Sequence, residues 1–244
     1  MFFVRKVRTM NNFFLDLCSG AVPWYLIVIA AVCAYFLGNI NPAILIGRAK
    51  GIDIRAQGSG NAGATNAARS IGKKAGAATF LIDVIKGWVG YYIPLLIFSG
   101  MFFTPEMMSV SEFNLMMSAP AAVAMLCGLC VCLGHMYPAV FGFRGGKGVA
   151  TVFGVLLAAS WPYALILFGI VIVFTLIFRR VSLSVMIAVA AAIVFMFFSG
   201  GPICVPQPLW VIILLALVVW KHRSNIKRLV KGEEPKLSFG SKKA

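Results

Sequence analysis

The sequence predicts an all-α integral membrane protein with seven transmembrane helices and its functional loops on the cytoplasmic face. Of its 244 residues, 61% are hydrophobic and only 12% are charged, and the mean hydropathy is +0.93. A soluble domain carries about 25% charged residues, so most of this chain is expected to lie in lipid. The net charge of +15 does not indicate nucleic acid, because the basic residues lie at the ends of apolar runs, where anionic lipid headgroups explain them.

Apolar runs define the predicted helices, since about 20 apolar residues cross the hydrocarbon core. Three spans are clear, at about 22–47, 75–99 and 115–134. The long run from Val149 to Phe178 contains Trp161-Pro162, and a proline there is expected to break it into two helices. Two further runs, at about 183–199 and 207–221, complete the seven.

The distribution of Lys and Arg favours seven helices over six. With seven, one face receives the segments 48–74, 142–148, 179–182 and the tail from 221, which together hold 18 of the 22 basic residues. The opposite loops, 100–114, 160–162 and 200–206, hold none. Six helices would leave Arg179 and Arg180 on the far side. The positive-inside rule makes the basic face cytoplasmic.

The chain is divided into an N-terminal extension (1–20), a membrane domain (21–235) and a basic C-terminal tail (236–244). The extension holds Arg5, Lys6 and Arg8 but no long apolar region, which favours an interfacial or disordered lead-in over a cleaved signal. Cys127 and Cys130 have the spacing of metal ligands, yet their neighbours in sequence are Leu, Gly and Val. We interpret the cysteines as small packing residues and predict no metal site.

Residues Gly58 to Asn66 form a glycine-rich segment, hereafter the glycine loop, between the first two spans. Three glycines in tight curvature expose backbone N–H groups beside Ser, Thr and Asn side chains, which is how proteins cradle phosphate. Arg55 and Arg69 flank the loop, and Lys73-Lys74 follow it. A flexible linker is the alternative. The flanking arginines favour an anion site.

A second segment runs from Gly134-His135 to Thr151 and contains Gly145-Gly146-Lys147-Gly148, hereafter the lysine loop. Backbone N–H groups, a helix N-terminus and an ammonium again suit phosphate. The spacing differs from that of an ATP-binding P-loop, so nucleotide hydrolysis is not implied.

Two later segments and one intramembrane pair complete the polar residues. Ser182 and Ser184 can bind an anion or cap a helix. In the segment from His222 to Leu229, read as a helix, His222, Asn225 and Lys227 or Arg228 approach one another within about one turn. A basic membrane anchor would look similar. Asp83 and Lys86 lie within the second span, where they either pair structurally or place Lys86 in the site.

The sequence offers two anion loops and few candidate bases. Its two histidines are His135 and His222, and neither an acyltransferase His-x-x-x-x-Asp pair nor a Ser-His-Asp set is evident. This pattern favours catalysis by positioning and electrostatics over a covalent relay.

Three of these segments resemble the signature motifs of a bacterial enzyme family. They are Asp53-Ile54-Arg55 with the glycine loop, Gly134 to Thr151, and His222 to Glu234. In order and length they are similar to the acyl-phosphate-dependent glycerol-3-phosphate acyltransferases of the PlsY type. Asn39-Ile40-Asn41-Pro42 departs from the Gly-Ser-Ile-Pro usual in that family. Arg144 stands where Lys is common.

The resemblance implies seven helices in the bacterial inner membrane and an active site that faces the cytoplasm. It implies transfer of a fatty acyl group from acyl phosphate, not acyl-CoA, to the 1-hydroxyl of glycerol 3-phosphate. The product would be lysophosphatidic acid, the start of phospholipid synthesis. No cofactor is expected. A monomer is the working expectation, with functional coupling to the enzyme that makes acyl phosphate.

The resemblance also implies roles for individual residues. Ser59, Asn61, Thr65 and Asn66 would hold phosphate, while Arg69, Lys147, His222 and Asn225 would orient glycerol 3-phosphate or stabilise charge at the acyl carbon. Either the donor's phosphate oxygen or His222 would deprotonate the hydroxyl. The predicted catalytic residues are Ser59, Lys147, His222 and Asn225. The predicted substrate-binding residues are Gly58, Gly60, Asn61, Gly63, Thr65, Asn66, Arg69, His135, Gly145, Gly146 and Ser182.

Two other classes of protein fit parts of the pattern. An organic-phosphate transporter could use basic, glycine-rich loops. However, the halves of the chain show no internal repeat, and the polar segments are predicted at one membrane face rather than at the midplane. A non-catalytic lipid-binding scaffold would not require the glycine loop.

Overall fold

A computed structural model describes residues 23–102, 118–198 and 208–237, and these ranges contain helices and loops but no β-strand. The α-helices in these ranges are α1 (Trp24–Asn39), α2 (Pro42–Ala49), α3 (Ala64–Ser70), α4 (Lys73–Phe102), α5 (Ser118–Met136), α6 (Val149–Ala159), α7 (Trp161–Phe178), α8 (Val181–Phe198), α9 (Pro208–Lys221) and α10 (Arg223–Val230). Short 3₁₀ turns occupy Ile54–Ala56 and Ala139–Phe141. The expectations for residues 1–20, for most of the loops 100–114 and 200–206, and for most of the tail fall outside the described residues.

Four stretches are long and apolar enough to cross a membrane, namely Trp24–Ala49, Lys73–Ser99, Pro120–Phe141 and Trp161–Phe178. A fifth forms if Leu209–Lys221 and Arg223–Val230 count as one span, bent by 57°. Two apolar helices are shorter, Val149–Ala159 and Val181–Met196. The predicted all-helical membrane class is confirmed among the described residues, whereas the number of spans stays a prediction.

Prolines mark two helix breaks, of which the sequence predicted the one at Pro162. Helix α6 ends at Ala159 and α7 begins at Trp161, with Pro162 in the first turn, where its missing N–H has no helical partner to lose. The predicted break of the long run is therefore confirmed. The first span is also interrupted, because Ile40 and Asn41 adopt extended conformations before Pro42 starts α2.

The chain forms two compact units, one ending at Ala159 and the other beginning at Ser160. In the first unit, α4 packs on α6 through two glycines. A Cβ at Gly87 would overlap the carbonyl oxygen of Thr151, and one at Gly154 would overlap that of Val84. This close approach fixes the start of α6, directly after the lysine loop.

The second unit is built around the antiparallel pair α7 and α8. Tyr163 near the start of α7 is fully buried, and its hydroxyl donates to the carbonyl oxygen of Ala192 at 3.1 Å. The pair is joined by Arg179, which has a left-handed conformation with φ 54°. The C-terminal segment contacts this turn, because the N–H of Leu237 donates to the Arg179 carbonyl at 2.6 Å.

Candidate active site

Asn66 holds the glycine loop in shape from inside. Its Oδ1 accepts from the backbone N–H of Ser59 at 2.9 Å, and its Nδ2 donates to the carbonyls of Ile54 at 3.0 Å and Gln57 at 2.9 Å. Asn66 is only 1% exposed, so these bonds replace water and fix the loop. The predicted phosphate ligand Asn66 thus has a structural role in this conformation, and direct binding by its side chain stays a prediction.

The curvature of the glycine loop depends on glycine at Gly58. Its φ of 55° lies in the left-handed region, and a Cβ there would overlap Oδ1 of Asn66. The segment from Gly58 to Gly60, including Ser59, is exposed, while Asn66, which holds the loop from inside, is buried.

Polar contacts fasten the glycine loop to the rest of the first unit. Asn41, fully buried, donates from Nδ2 to the carbonyl of Ala62 at 3.3 Å. Arg55 donates from Nη1 to the Phe141 carbonyl at 3.1 Å and from Nε to Asp53 at 3.1 Å. The side-chain hydrogen bond from Arg55 holds the pKa of Asp53 below its ordinary value.

The lysine loop is clamped onto His135 at the end of α5. The N–H of Gly146 donates to the His135 carbonyl at 3.1 Å. A Cβ at Gly146 would overlap Nε2 of His135 and would lie 2.7 Å from the Ala62 carbonyl oxygen. Only glycine permits this approach, so the lysine loop and the glycine loop meet at Gly146. Lys147 follows immediately and is half-buried.

Asp83 and Lys86 form a buried ion pair, which confirms the structural alternative for these residues. Lys86 Nζ lies 2.7 Å from Asp83 Oδ1 and 2.9 Å from His135 Nδ1. Sequence reasoning did not find His135 as a partner of this pair. The one available hint was that the chain has only two histidines. The contact of His135 with α4 arises from the packing of α4 on α5, which the sequence does not contain.

A second group of polar residues converges on Glu234 in the second unit. Its Oε1 accepts from Ser182 Oγ at 2.6 Å and from Asn225 Nδ2 at 2.5 Å, and its Oε2 accepts from Arg228 Nε at 2.8 Å. Burial would raise the pKa of Glu234, but these hydrogen bonds outweigh it and hold the pKa below its ordinary value. Glu234 therefore remains a carboxylate near neutral pH and joins two predicted site residues, Ser182 and Asn225.

His222 directly precedes α10, and one of its ring nitrogens is bonded to the backbone. Its Nδ1 lies 2.8 Å from the Val218 carbonyl oxygen, and the ring is 3% exposed. A carbonyl only accepts, so Nδ1 carries a proton and, in the neutral ring, Nε2 carries the lone pair.

The structure sorts the predicted site residues into two groups. The first unit holds Gly58, Ser59, Gly60, Asn61, Gly63, Thr65, Asn66, Arg69, His135, Gly145, Gly146 and Lys147. The second unit holds Ser182, His222 and Asn225. Thr65 lies in the first turn of α3 and Arg69 in its last turn, both exposed. Asn41 and Glu234 organise these groups but were not among the predicted site residues, although Asn before Pro is a helix-start signal.

Comparison with known proteins gives the family. The sequence profile described as Glycerol-3-phosphate acyltransferase matches residues 28–232. A glycerol-3-phosphate acyltransferase of Aquifex aeolicus (strain VF5) is 39% identical over 203 residues, which cover 83% of this chain and 95% of the relative. The protein of the same name from Clostridioides difficile (strain 630) is 40% identical over 219 residues, covering 88% and 97%.

Solved structures agree with the sequence relatives. The crystal structure of PlsY (YgiH), an integral membrane glycerol 3-phosphate acyltransferase, in its glycerol 3-phosphate form has a TM-score of 0.73 and 36% identity, covering 87% of this chain and 96% of that chain. Its lysophosphatidic acid form has a TM-score of 0.70 at the same identity. This chain belongs to the glycerol-3-phosphate acyltransferase family.

Proposed function

We propose that this protein transfers a fatty acyl group from acyl phosphate to the 1-hydroxyl of glycerol 3-phosphate, releasing lysophosphatidic acid and phosphate. The observation that carries the proposal is the meeting of two glycine-rich loops at Gly146, which is followed directly by Lys147. Both substrates carry phosphate, and backbone N–H groups with an ammonium bind phosphate oxygens. The related structures carry glycerol 3-phosphate and lysophosphatidic acid forms in their names.

Acyl phosphate as the donor fits the chemistry of these residues. It is already a mixed anhydride, so attack by the glycerol 3-phosphate hydroxyl needs no enzyme nucleophile. The C–O bond to glycerol forms as the hydroxyl O–H bond breaks, and the proton passes to a phosphate oxygen of the donor. The acyl C–O bond to phosphate breaks, and the departing phosphate is held by cationic and N–H groups. Lys147 is the group we assign to charge developing on the acyl phosphate. The acyl chain lies along apolar helices, because each buried CH₂ contributes about 0.8 kcal/mol.

The residues of the second unit are assigned to the same reaction. His222 and Asn225 orient glycerol 3-phosphate, and Glu234 holds Asn225 and Ser182 in place through its two oxygens. The assignment rests on the chain's charge distribution, which predicts that both groups of residues belong to the basic, cytoplasmic face of the membrane.

A donor assay tests the proposal directly. Purified protein is incubated with labelled glycerol 3-phosphate and either palmitoyl phosphate or palmitoyl-CoA. We expect labelled lysophosphatidic acid from palmitoyl phosphate alone, because a phosphate leaving group fits the loops and needs no cofactor. Product from the coenzyme A donor only would overturn the donor assignment. No product from either donor, with labelled solute accumulating in proteoliposomes, would instead indicate a transporter.

The topology we propose is seven helices in the bacterial inner membrane with the glycine loop and α10 both facing the cytoplasm. It is tested in a cysteine-free background with single substitutions at exposed positions, Ala56→Cys, Ser224→Cys and Trp161→Cys. An impermeant thiol reagent is expected to label the first two only in inside-out vesicles and the third only in right-side-out vesicles. Labelling of Ala56→Cys and Ser224→Cys from opposite sides would exclude a common site.

The remaining proposals concern the protein's surroundings. We propose that the chain acts as a monomer and receives acyl phosphate from the enzyme that makes it. Sedimentation in detergent at increasing protein concentration checks the first statement, since a mass that rises with concentration would contradict it.

A further inference from the structure

The break between α1 and α2 leaves two backbone carbonyls that a lysine from another helix satisfies. In a continuous helix the Gly38 carbonyl would accept from residue 42, but Pro42 has no N–H. The Ile40 carbonyl loses its helical donor as well, because the N–H of Ile44 donates to Oδ1 of Asn41 instead. Lys86 donates from Nζ to Gly38 at 3.2 Å and to Ile40 at 2.6 Å.

The same ammonium group belongs to a cluster of three charged or titratable side chains. Lys86 Nζ lies 2.7 Å from Asp83 Oδ1 and 2.9 Å from His135 Nδ1, and His135 Nδ1 lies 3.2 Å from Asp83 Oδ1. These side chains are 2–3% exposed. Lys86 Nζ has three protons for four acceptors, namely the Gly38 and Ile40 carbonyls, Asp83 Oδ1 and His135 Nδ1. If His135 Nδ1 carries a proton and donates to Asp83, the three protons match the three oxygen atoms. If His135 Nδ1 accepts from Lys86 instead, one of these oxygen atoms receives no proton from Lys86.

The cluster connects directly to both loops of the proposed site. On one side, His135 holds Gly146 through its carbonyl and its ring, immediately before Lys147. On the other side, Lys86 stabilises the helix break that presents Asn41, and Asn41 donates to the Ala62 carbonyl of the glycine loop. A change in the cluster is therefore expected to move both loops, because two hydrogen bonds in succession link Lys86 to each of them.

We propose that Asp83 and Lys86 are positioning residues that set the distance between the glycine loop and the lysine loop, a proposal that rests on the proposed function. Neither residue contacts substrate in this assignment. A buried ion pair is weak as a source of stability, since apolar replacements of similar volume are often neutral or stabilising. Its advantage here is directional, because Lys86 donates to fixed carbonyls and so defines where α1 ends and α2 begins.

The test compares Lys86→Met and Asp83→Asn with Ile85→Met, an exposed position on the same helix. For each purified variant, the KM for glycerol 3-phosphate, kcat and the Tm are measured. Lys86→Met is expected to raise the KM about 10- to 100-fold, because misplacement of a binding group by about 1 Å has effects of this size. Asp83→Asn, which keeps the side-chain shape, is expected to raise the KM several-fold. Ile85→Met is expected to match the wild type.

A purely structural role gives a different pattern. In that case the Tm and the active fraction fall while the KM of the remaining folded enzyme equals that of the wild type, and the proposal is wrong. If Lys86→Met yields no folded protein, Asp83→Asn decides, and an unchanged KM or a second failure to fold overturns the proposal. Failure of the proposed function is distinguishable, because then the wild type itself makes no lysophosphatidic acid.

Discussion

Replacement of Lys147 by methionine is expected to lower kcat/KM for glycerol 3-phosphate by about 10²- to 10³-fold, the range found when one electrostatic stabiliser of a transition state is removed. Methionine keeps an unbranched, half-buried side chain and removes only the ammonium. Lys147 follows Gly146, whose N–H donates to the His135 carbonyl and whose Cα packs against the His135 ring. The Lys147 side chain is therefore attached to a fixed segment of backbone. The measurement is initial rate against glycerol 3-phosphate at saturating palmitoyl phosphate.

The matched control for this variant is Lys50→Met. Lys50 is exposed at the end of α2 and belongs to the basic segment 48–74, so the control removes one positive charge from the same predicted face. It is expected to keep wild-type kinetics. Lys147→Arg separates charge from shape, since a guanidinium fork is larger than a point ammonium, and it is expected to be impaired as well. Equal rates for Lys147→Met and the wild type would remove Lys147 from the site.

The sequence was most informative where a local rule acts alone. Pro162 predicted the break between α6 and α7, because a proline disrupts a helix wherever the helix lies. The resemblance of the motifs predicted the family that the profile and the relatives show. Glycine spacing likewise predicted a curved loop at Gly58, and the left-handed φ there is its physical cause.

The internal bonds of the site could not be predicted from spacing. Asn66 looks like a phosphate ligand in sequence, but its amide makes three bonds within the loop. Lys86 lies 46 residues from Ile40 and 49 residues from His135, so its partners depend on how α4 packs on α1 and α5. Buried polar side chains take whichever partners the packing offers, and a sequence alone does not contain that geometry.

His222→Gln and His222→Leu are expected to differ, with glutamine retaining activity to within about tenfold and leucine losing about 10²- to 10³-fold. Nδ1 of His222 donates to the Val218 carbonyl, and we propose that the ring acts on a substrate through Nε2. We assign it to orienting glycerol 3-phosphate, with the acyl phosphate oxygen accepting the hydroxyl proton. The glutamine amide can supply a hydrogen bond near the Nε2 position, but it cannot take a proton.

The alternative assigns proton removal to His222 itself. General base catalysis typically contributes 10²- to 10⁴-fold, and glutamine would then be as poor as leucine. The control is Arg223→Gln, an exposed neighbour whose guanidinium lies over the Trp220 ring at 4.9 Å, which alters charge in the same turn without touching the His222 ring. If the His222→Gln variant keeps the Tm of the wild type but is as slow as His222→Leu, His222 is the general base. The reaction would then depend on an enzyme base rather than on the substrate's own phosphate.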